Sequence, residues 1–266
     1  MSNDDFQNTV WEYYSRHQRD MPWRHPDPDG AFDVYKILVS EIMLQQTQVN
    51  RVREKYTAFI SKFPTITTLA SAPLSDVLIA WQGLGYNRRA KYLHEAAKQL
   101  KNIRHWTIQD LIACKGVGAN TAAAVLVYAY NTPRVFIETN IRTVFIYHFF
   151  KGADNVTDND ILPIIQRTLD THSPREWYWA LMDYGSYLKK AHGNAAKNSK
   201  HYKRQSNFKG SKRQLRGAVL RELTEGEQTI VQLRQTLKDD RLTEVLIALE
   251  KEGLIQTTHQ TYHLSS

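Results

Sequence analysis

Apolar residues recur at three- and four-residue spacing from Val34 to about Lys190, and only short turns interrupt them. Glycine or proline marks each interruption, at residues 63–64, 72–73, 83–85 and 116–118. No series of alternating strands competes with this helical pattern. The sequence therefore predicts a mainly α fold for this part of the chain.

The pattern changes after about Lys189. Three short amphipathic segments follow at 215–223, 230–237 and 242–249, and residues 254–264 alternate between apolar and polar as strands do. Three helices followed by a β-hairpin is the order of elements in a winged helix. We therefore predict a helical body over 1–190, a basic linker over 191–210 and a small winged-helix-like α+β domain over 211–266.

Positive charge is concentrated in one segment. The 266 residues carry a formal net charge of +8, and Tyr187 to Arg216 contains ten Lys or Arg and no acidic residue. Such a segment can be a solvated linker, or it can contact phosphates. We favour the second interpretation because aromatic and histidine side chains alternate with the cations, at Tyr187, His201, Tyr202 and Phe208.

Several classes of protein are excluded or disfavoured. The single cysteine, Cys114, cannot form a disulfide framework or supply a site that needs four thiolates. No apolar run approaches the 18 residues of a membrane helix, and the N-terminal residues lack the pattern of a secretory signal. We expect an intracellular protein without a membrane partner, located in the cytoplasm and associated with the nucleoid.

The strongest local motif is a pair of helices joined by Gly116-Val117-Gly118. Thr107 and Asp110 have the spacing of a capping box and predict the start of the first helix, and the second should run from about Asn120 to Tyr130. Glycine permits backbone angles that are closed to other residues, and it lets a phosphate approach the N–H groups of the second helix. An ordinary helical corner is the alternative, which the flanking LIAC and ANTAAAVL disfavour.

Two glutamates could take part in catalysis. Glu41 lies on or beside the apolar stripe of a predicted helix, where burial would raise its pKa and suit it to be a general acid; it could equally be a polar residue at the stripe's edge. Glu138 follows an apolar segment and precedes a helix, so it could cap that helix or face a developing cation. Three glutamines, at 45, 46 and 48, are predicted on a helix, where they could contact bases or form a polar face.

Taken together, these residues resemble the helix-hairpin-helix DNA glycosylase superfamily, and within it the MutY-type adenine glycosylases. The resemblance covers about residues 17 to 188. It rests on MPW (21–23), SEIMLQQTQV (40–49), residues 63–97 with their GLGY, KGVGANTAAAV (115–125), ETN (138–140) and ALMDYGS (180–186). It implies a bilobal helical body with a cleft for double-stranded DNA that carries a mismatch or an oxidised base, and a target base flipped out of the duplex.

The resemblance also implies roles for individual residues. Glu41 corresponds to the glutamate that protonates the purine, Glu138 to the aspartate that stabilises the sugar cation, and Asn140 to an asparagine that aligns them. Leu44 and Gln46 correspond to residues that fill the space left by the flipped base, and Tyr86 to a wedge in the duplex. The further predicted DNA contacts are Arg88, Gly116, Val117, Gly118, Asn120, Lys189 and Lys190.

The sequence departs from the family pattern in four ways. The four-cysteine iron–sulfur loop has no counterpart in 189–203, so we expect no cluster, no metal and no redox cofactor; a monovalent cation at the hairpin 116–118 is the only ion we allow for. Glu138 replaces the usual aspartate. Asn120 stands where other members carry a lysine nucleophile, which disfavours a lyase. The predicted winged helix stands where MutY enzymes have a Nudix-like domain.

The sequence therefore predicts a monofunctional, monomeric DNA glycosylase that removes adenine opposite 8-oxoguanine. A glycosylase for thymine or uracil opposite guanine is one alternative. A non-catalytic lesion-binding protein is another, which the change from aspartate to Glu138 favours and the retained Glu41, Gln46 and Asn140 disfavour. The predicted hairpin residues His259, Gln260, Tyr262 and His263 could contact the orphan base, which is the partner of the excised base, or its groove.

Overall fold

The computed structural model describes residues 1–202 and 207–266, which form two compact units. The first unit contains residues 1–37, 107–112 and 118–202, and the second contains 38–106, 113–117 and 207–266. Both are mainly helical, which confirms the prediction from apolar spacing. Across the described ranges, no helix combines the length and the apolar content that crossing a membrane requires.

The first unit is built around one long helix, α11, that packs against three others. Trp177 and Tyr178 of this helix are completely buried and give the unit a large aromatic core. The helices are α1 (Asn3–His17), α8 (Ala119–Tyr130), α9 (Thr139–Phe149), α10 (Asp158–Thr168) and α11 (Pro174–Ala191), with short 3-10 turns at Pro22–Arg24 and Ala195–Asn198. Two helices, α2 (Val34–Leu44) and α7 (Ile108–Ala113), have residues in both units.

A buried ion-pair cluster fixes α11 to the segment after α1. The side chain of Asp183 is completely buried, and Arg24 donates two hydrogen bonds to its carboxylate, at 2.8 and 2.9 Å. Arg19 adds bonds from its Nε, at 2.7 Å, and from its backbone N–H, at 2.8 Å. A buried carboxylate is tolerated only when it is paired in this way. The MPW stretch (21–23) therefore precedes a residue of this ion-pair cluster, Arg24, and the ALMDYGS stretch (180–186) contains its carboxylate, Asp183.

The second unit joins a helical region to a small mixed region. Its further helices are α3 (Val49–Lys62), α4 (Ile66–Ser71), α5 (Leu74–Ala80), α6 (Arg88–Leu100), α12 (Lys212–Glu222), α13 (Ile230–Leu237) and α14 (Leu242–Lys251). The strands are β1 (Gln228–Thr229), β2 (Ile255–Thr258) and β3 (Thr261–Leu264), paired antiparallel in the order β1-β3-β2. The three C-terminal helices and the hairpin confirm the predicted order of elements. The strand β1 is too short for alternation to reveal it.

Part of the predicted linker is bound to the first unit. The backbone N–H of Val156 donates to the carbonyl of Asn198, and the N–H of Lys200 donates to the carbonyl of Val156, both at 3.0 Å. Within the basic segment, Lys203 and Arg204 lie outside the described residues. The domain boundaries at 190 and 211 remain predictions. Residues 207–266 belong to the second unit, together with residues 38–106.

Candidate nucleic-acid interface and catalytic residues

Glu41 lies on the third turn of α2, at the edge of the helix's buried stripe. Its neighbours Ser40, Ile42 and Met43 are buried, whereas Glu41 itself is partly exposed. The predicted position beside the apolar stripe is therefore confirmed. A carboxyl group that is partly exposed here can exchange a proton with a group at the surface.

The prediction that the three glutamines lie on one helix is wrong. Helix α2 ends at Leu44, residues 45–47 form a turn, and Gln48 is the N-cap of α3. Gln46 is exposed and has a left-handed backbone, with φ of 55°. This conformation ends the helix, so Gln46 projects from a turn and not from a helix face.

Arg89, which the sequence pattern did not predict as a site residue, holds this turn. Its guanidinium is buried and donates to the carbonyls at the end of α2, namely Ile42 at 2.8 Å, Met43 at 3.0 Å, and Gln45. These carbonyls have no partner within the helix, so Arg89 caps the helix end from a distance of more than forty residues along the chain. Burial lowers the pKa of Arg89 to about 10, which leaves it charged at neutral pH.

The same guanidinium also holds the turn of the GLGY motif. It donates to the carbonyls of Leu84, at 3.2 Å, and Gly85, at 2.9 Å, and to the hydroxyl of Thr47, at 3.0 Å. One side chain therefore fixes both turns that carry predicted DNA contacts. The adjacent Arg88 is mostly exposed, and its Nε lies 3.5 Å from the carboxylate of Glu252 in the C-terminal segment.

Tyr86, the predicted wedge, lies between two guanidinium groups. Its backbone is left-handed, with φ of 47°. Arg89 lies 5.5 Å from the ring centre, and Arg213 of α12 lies 5.3 Å from it and donates to the tyrosine hydroxyl. The ring is therefore already held by the C-terminal segment of the same unit.

The glycine hairpin has the predicted helices on both sides. The Thr107–Asp110 capping box is present, with bonds of 2.8 and 3.2 Å, and α7 and α8 begin close to the predicted positions. Gly116 has φ of 84°, and a Cβ there would lie 2.6 Å from the ring of Tyr92, so two constraints select glycine at this position. Its carbonyl accepts a hydrogen bond from Gln45 Nε2, at 3.3 Å, so this glutamine ties the hairpin to the end of α2.

The start of α8 has the features of an anion site. Gly118 occupies the N-cap, where no side chain caps the helix, and Gly118, Ala119 and Asn120 are exposed. Unpaired N–H groups at a helix N-terminus attract phosphate. Asn120 Oδ1 accepts a bond from the N–H of Ile137, at 3.3 Å, so this side chain supports the segment before Glu138. Val117 is buried and shapes the hairpin from inside.

Glu138 stands at the N-cap of α9 but makes no capping hydrogen bond with its side chain. Most of its surface is buried, and burial raises the pKa of the carboxyl group, an effect that the positive charge of Arg142 opposes. Arg142 itself is held by a bidentate pair with Asp158, at 2.8 and 2.9 Å. Of the two roles that the sequence left open, the geometry excludes capping by the side chain.

Asn140 is positioned by α11. The Oδ1 of Asn140 accepts a hydrogen bond from Lys189 Nζ, at 3.3 Å, and burial lowers the pKa of this lysine. A Cβ on Gly185 would lie 2.3 Å from the carbonyl oxygen of Asn140, so glycine is required for this close approach. Lys189 thus binds a site residue of its own unit, whereas Lys190 is exposed. The structure brings Asn120, Glu138, Asn140 and Lys189 together in the first unit.

The chain does not offer the ligands for an iron–sulfur cluster. Its single thiol, on Cys114, is buried beside the hairpin, and one cysteine cannot hold a group that needs four thiolates.

Comparisons with known proteins place this arrangement in a family. Residues 39–162 match the HhH-GPD superfamily of base excision DNA repair proteins. The chain is 37% identical over 180 residues to the adenine DNA glycosylase of Mycolicibacterium smegmatis, an alignment that covers 65% of this chain and 60% of that protein. It is 31% identical over 269 residues to the adenine DNA glycosylase of Mycobacterium tuberculosis, with 89% and 86% covered.

The chain belongs to the HhH-GPD superfamily, on its MutY-like adenine glycosylase branch. This confirms the resemblance and the fold class that the sequence predicts. The chain spans less than two thirds of the length of the M. smegmatis relative. A solved thermostable thymine-DNA glycosylase has a similar fold, with a TM-score of 0.61 and 26% identity over 69% of this chain and 86% of that one.

Proposed function

We propose that this member of the superfamily is a monofunctional DNA glycosylase that hydrolyses the bond between adenine and its sugar in mispaired double-stranded DNA. The preferred mispair is adenine opposite 8-oxoguanine, and the protein acts as a monomer. The observation that carries the proposal is the geometry of Glu138. This residue occupies the N-cap position of α9, yet its side chain makes no hydrogen bond that caps the helix. The carboxylate is therefore not committed to holding the helix end. Relatives named adenine DNA glycosylase supply the substrate class.

The mechanism assigns separate tasks to the two glutamates. Glu41 donates a proton to the adenine ring, the bond between the base and C1′ breaks, and the sugar is left with a positive charge. The ionised carboxylate of Glu138 stabilises that charge, and Asn140 aligns the group beside it. Water then adds to C1′, and its proton returns to Glu41. Asn120 has no amine, so no imine forms with the sugar and the strand is not cut by this route.

The DNA contacts follow from the turns and the helix ends. The exposed start of α8 binds a phosphate through its N–H groups, and the glycine turn before it can accommodate a monovalent cation. Tyr86 enters the base stack, and Leu44 and Gln46 fill the space that the flipped base leaves. Lys190 adds a positive charge at the end of α11.

The decisive experiment measures single-turnover base excision, followed by alkaline cleavage at the abasic site. Four duplexes are compared, with adenine opposite 8-oxoguanine, adenine opposite guanine, thymine opposite guanine and uracil opposite guanine. We expect cleavage at adenine, and we expect Glu41→Gln to lower its rate by about 10²- to 10⁴-fold while DNA binding remains. Glu54→Gln, an exposed glutamate on α3, is the matched control and should retain the rate.

The second candidate is removal of thymine from a mismatch with guanine. The fold similarity to a thymine-DNA glycosylase at 26% identity favours it. Cleavage of thymine or uracil without cleavage of adenine would select this candidate. Tight binding of all mismatched duplexes without any cleavage would reject both enzymes and make the chain a lesion-binding protein.

A further inference from the structure

A cavity of about 580 Å³ lies inside the second unit, between the start of α6 and α12. Its size is within the range of about 300 to 1,000 Å³ that is typical of small-molecule sites. Amides from the turn after α2, two tyrosine rings and arginines from both sides line it, among them Gln45, Gln46, Tyr86, Tyr92, Arg213 and Arg216.

The charge of the lining is strongly positive. Arg88, Arg89, Arg213 and Arg216 supply four guanidinium groups, whereas Glu252 is the one carboxylate among the lining residues. Arg216 donates to the Glu252 carboxylate, and Arg88 lies 3.5 Å from it, so one negative charge is shared by two of the four cations. The excess positive charge suits an anionic ligand such as a phosphate ester.

The remaining lining suits an aromatic base. Tyr86 and Tyr92 are among the lining residues, and the Arg213 guanidinium lies over the Tyr86 ring, 5.3 Å from its centre. A base can take the same place on that ring, since both are flat groups that stack on aromatics. Guanidinium groups bind bidentately to the two acceptors, O6 and N7, at the edge of a guanine, and Arg213 and Arg216 bring two such groups to the lining from α12.

We propose that this cavity binds one nucleotide of DNA that carries a guanine-type purine, and that Arg213 and Arg216 of α12 are its recognition residues. This proposal extends the proposed function and rests on it for one point. That point is that the bound nucleotide is the one opposite the excised base. Specificity for that partner then resides in the C-terminal helix α12. No residue from the hairpin of β2 and β3 is among the described lining residues, so the expected contacts of His259, Gln260, Tyr262 and His263 have no part in this site.

A charge-neutral block of the cavity gives the sharpest test. Gly217 lies on the α12 wall, and a Cβ there meets no atom within 4 Å. Gly217→Leu fills the cavity without removing a charge, and it replaces a poor helix former by a good one. Gly217→Ala is the matched control. The readout is the Kd for duplexes with a tetrahydrofuran abasic analogue opposite guanine, 8-oxoguanine, cytosine or thymine, measured by fluorescence anisotropy.

We expect the wild type and Gly217→Ala to prefer guanine and 8-oxoguanine opposite the analogue, and Gly217→Leu to lose that preference by about tenfold or more. Equal preference in Gly217→Leu and the wild type would overturn the proposal, whatever the cleavage assay shows. Because the readout is binding to a product analogue, it stays informative if the chain cleaves no adenine.

Arginine variants test the recognition residues separately. Arg213→Ala and Arg216→Ala should each reduce the preference for guanine by about fivefold to a hundredfold. Arg221→Ala removes the same charge from an exposed position of the same helix, and it should weaken binding to all four duplexes equally. If all three variants weaken all duplexes equally, the arginines act through charge alone and the proposed recognition is wrong.

Titration with dGMP distinguishes the source of the nucleotide. We expect weak binding of dGMP, competed by the guanine-containing duplex and lost in Gly217→Leu. If dGMP binds tightly while the duplexes show no preference, the site takes a free nucleotide and the assignment to DNA is overturned.

Discussion

The first and second units hold their site residues by different means. In the first, Glu138 and Asn140 stand at the start of one helix, and the close approach of Gly185 fixes that start. In the second, Gln46 and Tyr86 lie on turns with left-handed backbones, and Arg89 holds both turns through its guanidinium. Glu138 and Asn140 are therefore held at a helix end, whereas the turns of Gln46 and Tyr86 depend on long-range hydrogen bonds from Arg89.

The largest expected effect is on the frame of the first unit. Asp183→Asn leaves Arg19 and Arg24 without a buried counter-charge and should lower the free energy of unfolding by about 3 to 5 kcal/mol. Urea unfolding measures it. Asp154→Asn, an exposed residue of the same unit, is the control and should change stability little. A loss as small as the control's would show that the cluster does not support α11.

Arg89→Met tests the second unit in the same way. Several buried carbonyls lose their donor, so we expect a loss of about 2 to 4 kcal/mol in the free energy of unfolding. Hydrogen exchange should increase at residues 42–47 and 84–85. Arg88→Met, at the neighbouring exposed position, should leave both measurements nearly unchanged. If exchange at only one of the two turns increases, Arg89 does not join them.

Gly116 and Gly118 offer a matched pair within one hairpin. Gly116→Ala forces a Cβ towards Tyr92 at a left-handed position and should cost about 1 to 3 kcal/mol of stability. Gly118 has an extended backbone, and a Cβ there meets no atom within 4 Å, so Gly118→Ala should be nearly neutral. Thermal unfolding compares the two. Equal losses would mean that neither the ring nor the backbone angle selects glycine at 116.

The smallest expected effect concerns Glu138. Its substitution should raise the free energy of unfolding, whereas the substitutions above lower it. Because burial raises the pKa of this group in the folded state, ionisation costs stability, and the cost grows as the pH rises above the pKa of the unfolded chain. Glu138→Gln removes that cost and should stabilise the protein at pH 7. The gain should disappear in acid, below the unfolded pKa. Tm measured against pH checks it; a constant difference would contradict the raised pKa.

Local patterns predicted much of the fold. The Thr107–Asp110 box, the helix over 119–130 and the C-terminal elements depend on residues within a few positions of one another. Glu41 could be placed beside an apolar stripe for the same reason. The family resemblance supplied the roles of these residues, which spacing alone left open.

What sequence reasoning missed depends on contacts between distant residues. Helical spacing continues through Gln45 and Gln46, yet the chain turns there because Arg89 binds the carbonyls at the end of α2. Nothing near Tyr86 indicates that Arg213, more than a hundred residues later, donates to its hydroxyl. A second arginine after GLGYN was the only local signal, and its burial is visible only in three dimensions.

The guanidinium of Arg89 couples the two turns to each other. Residues 42–47 and 84–85 share the donors of Arg89, so neither turn can shift far without breaking bonds to the other. A displacement of either turn therefore acts on the hydrogen bonds that hold the other, and the end of α2 that Arg89 binds lies within three residues of Glu41.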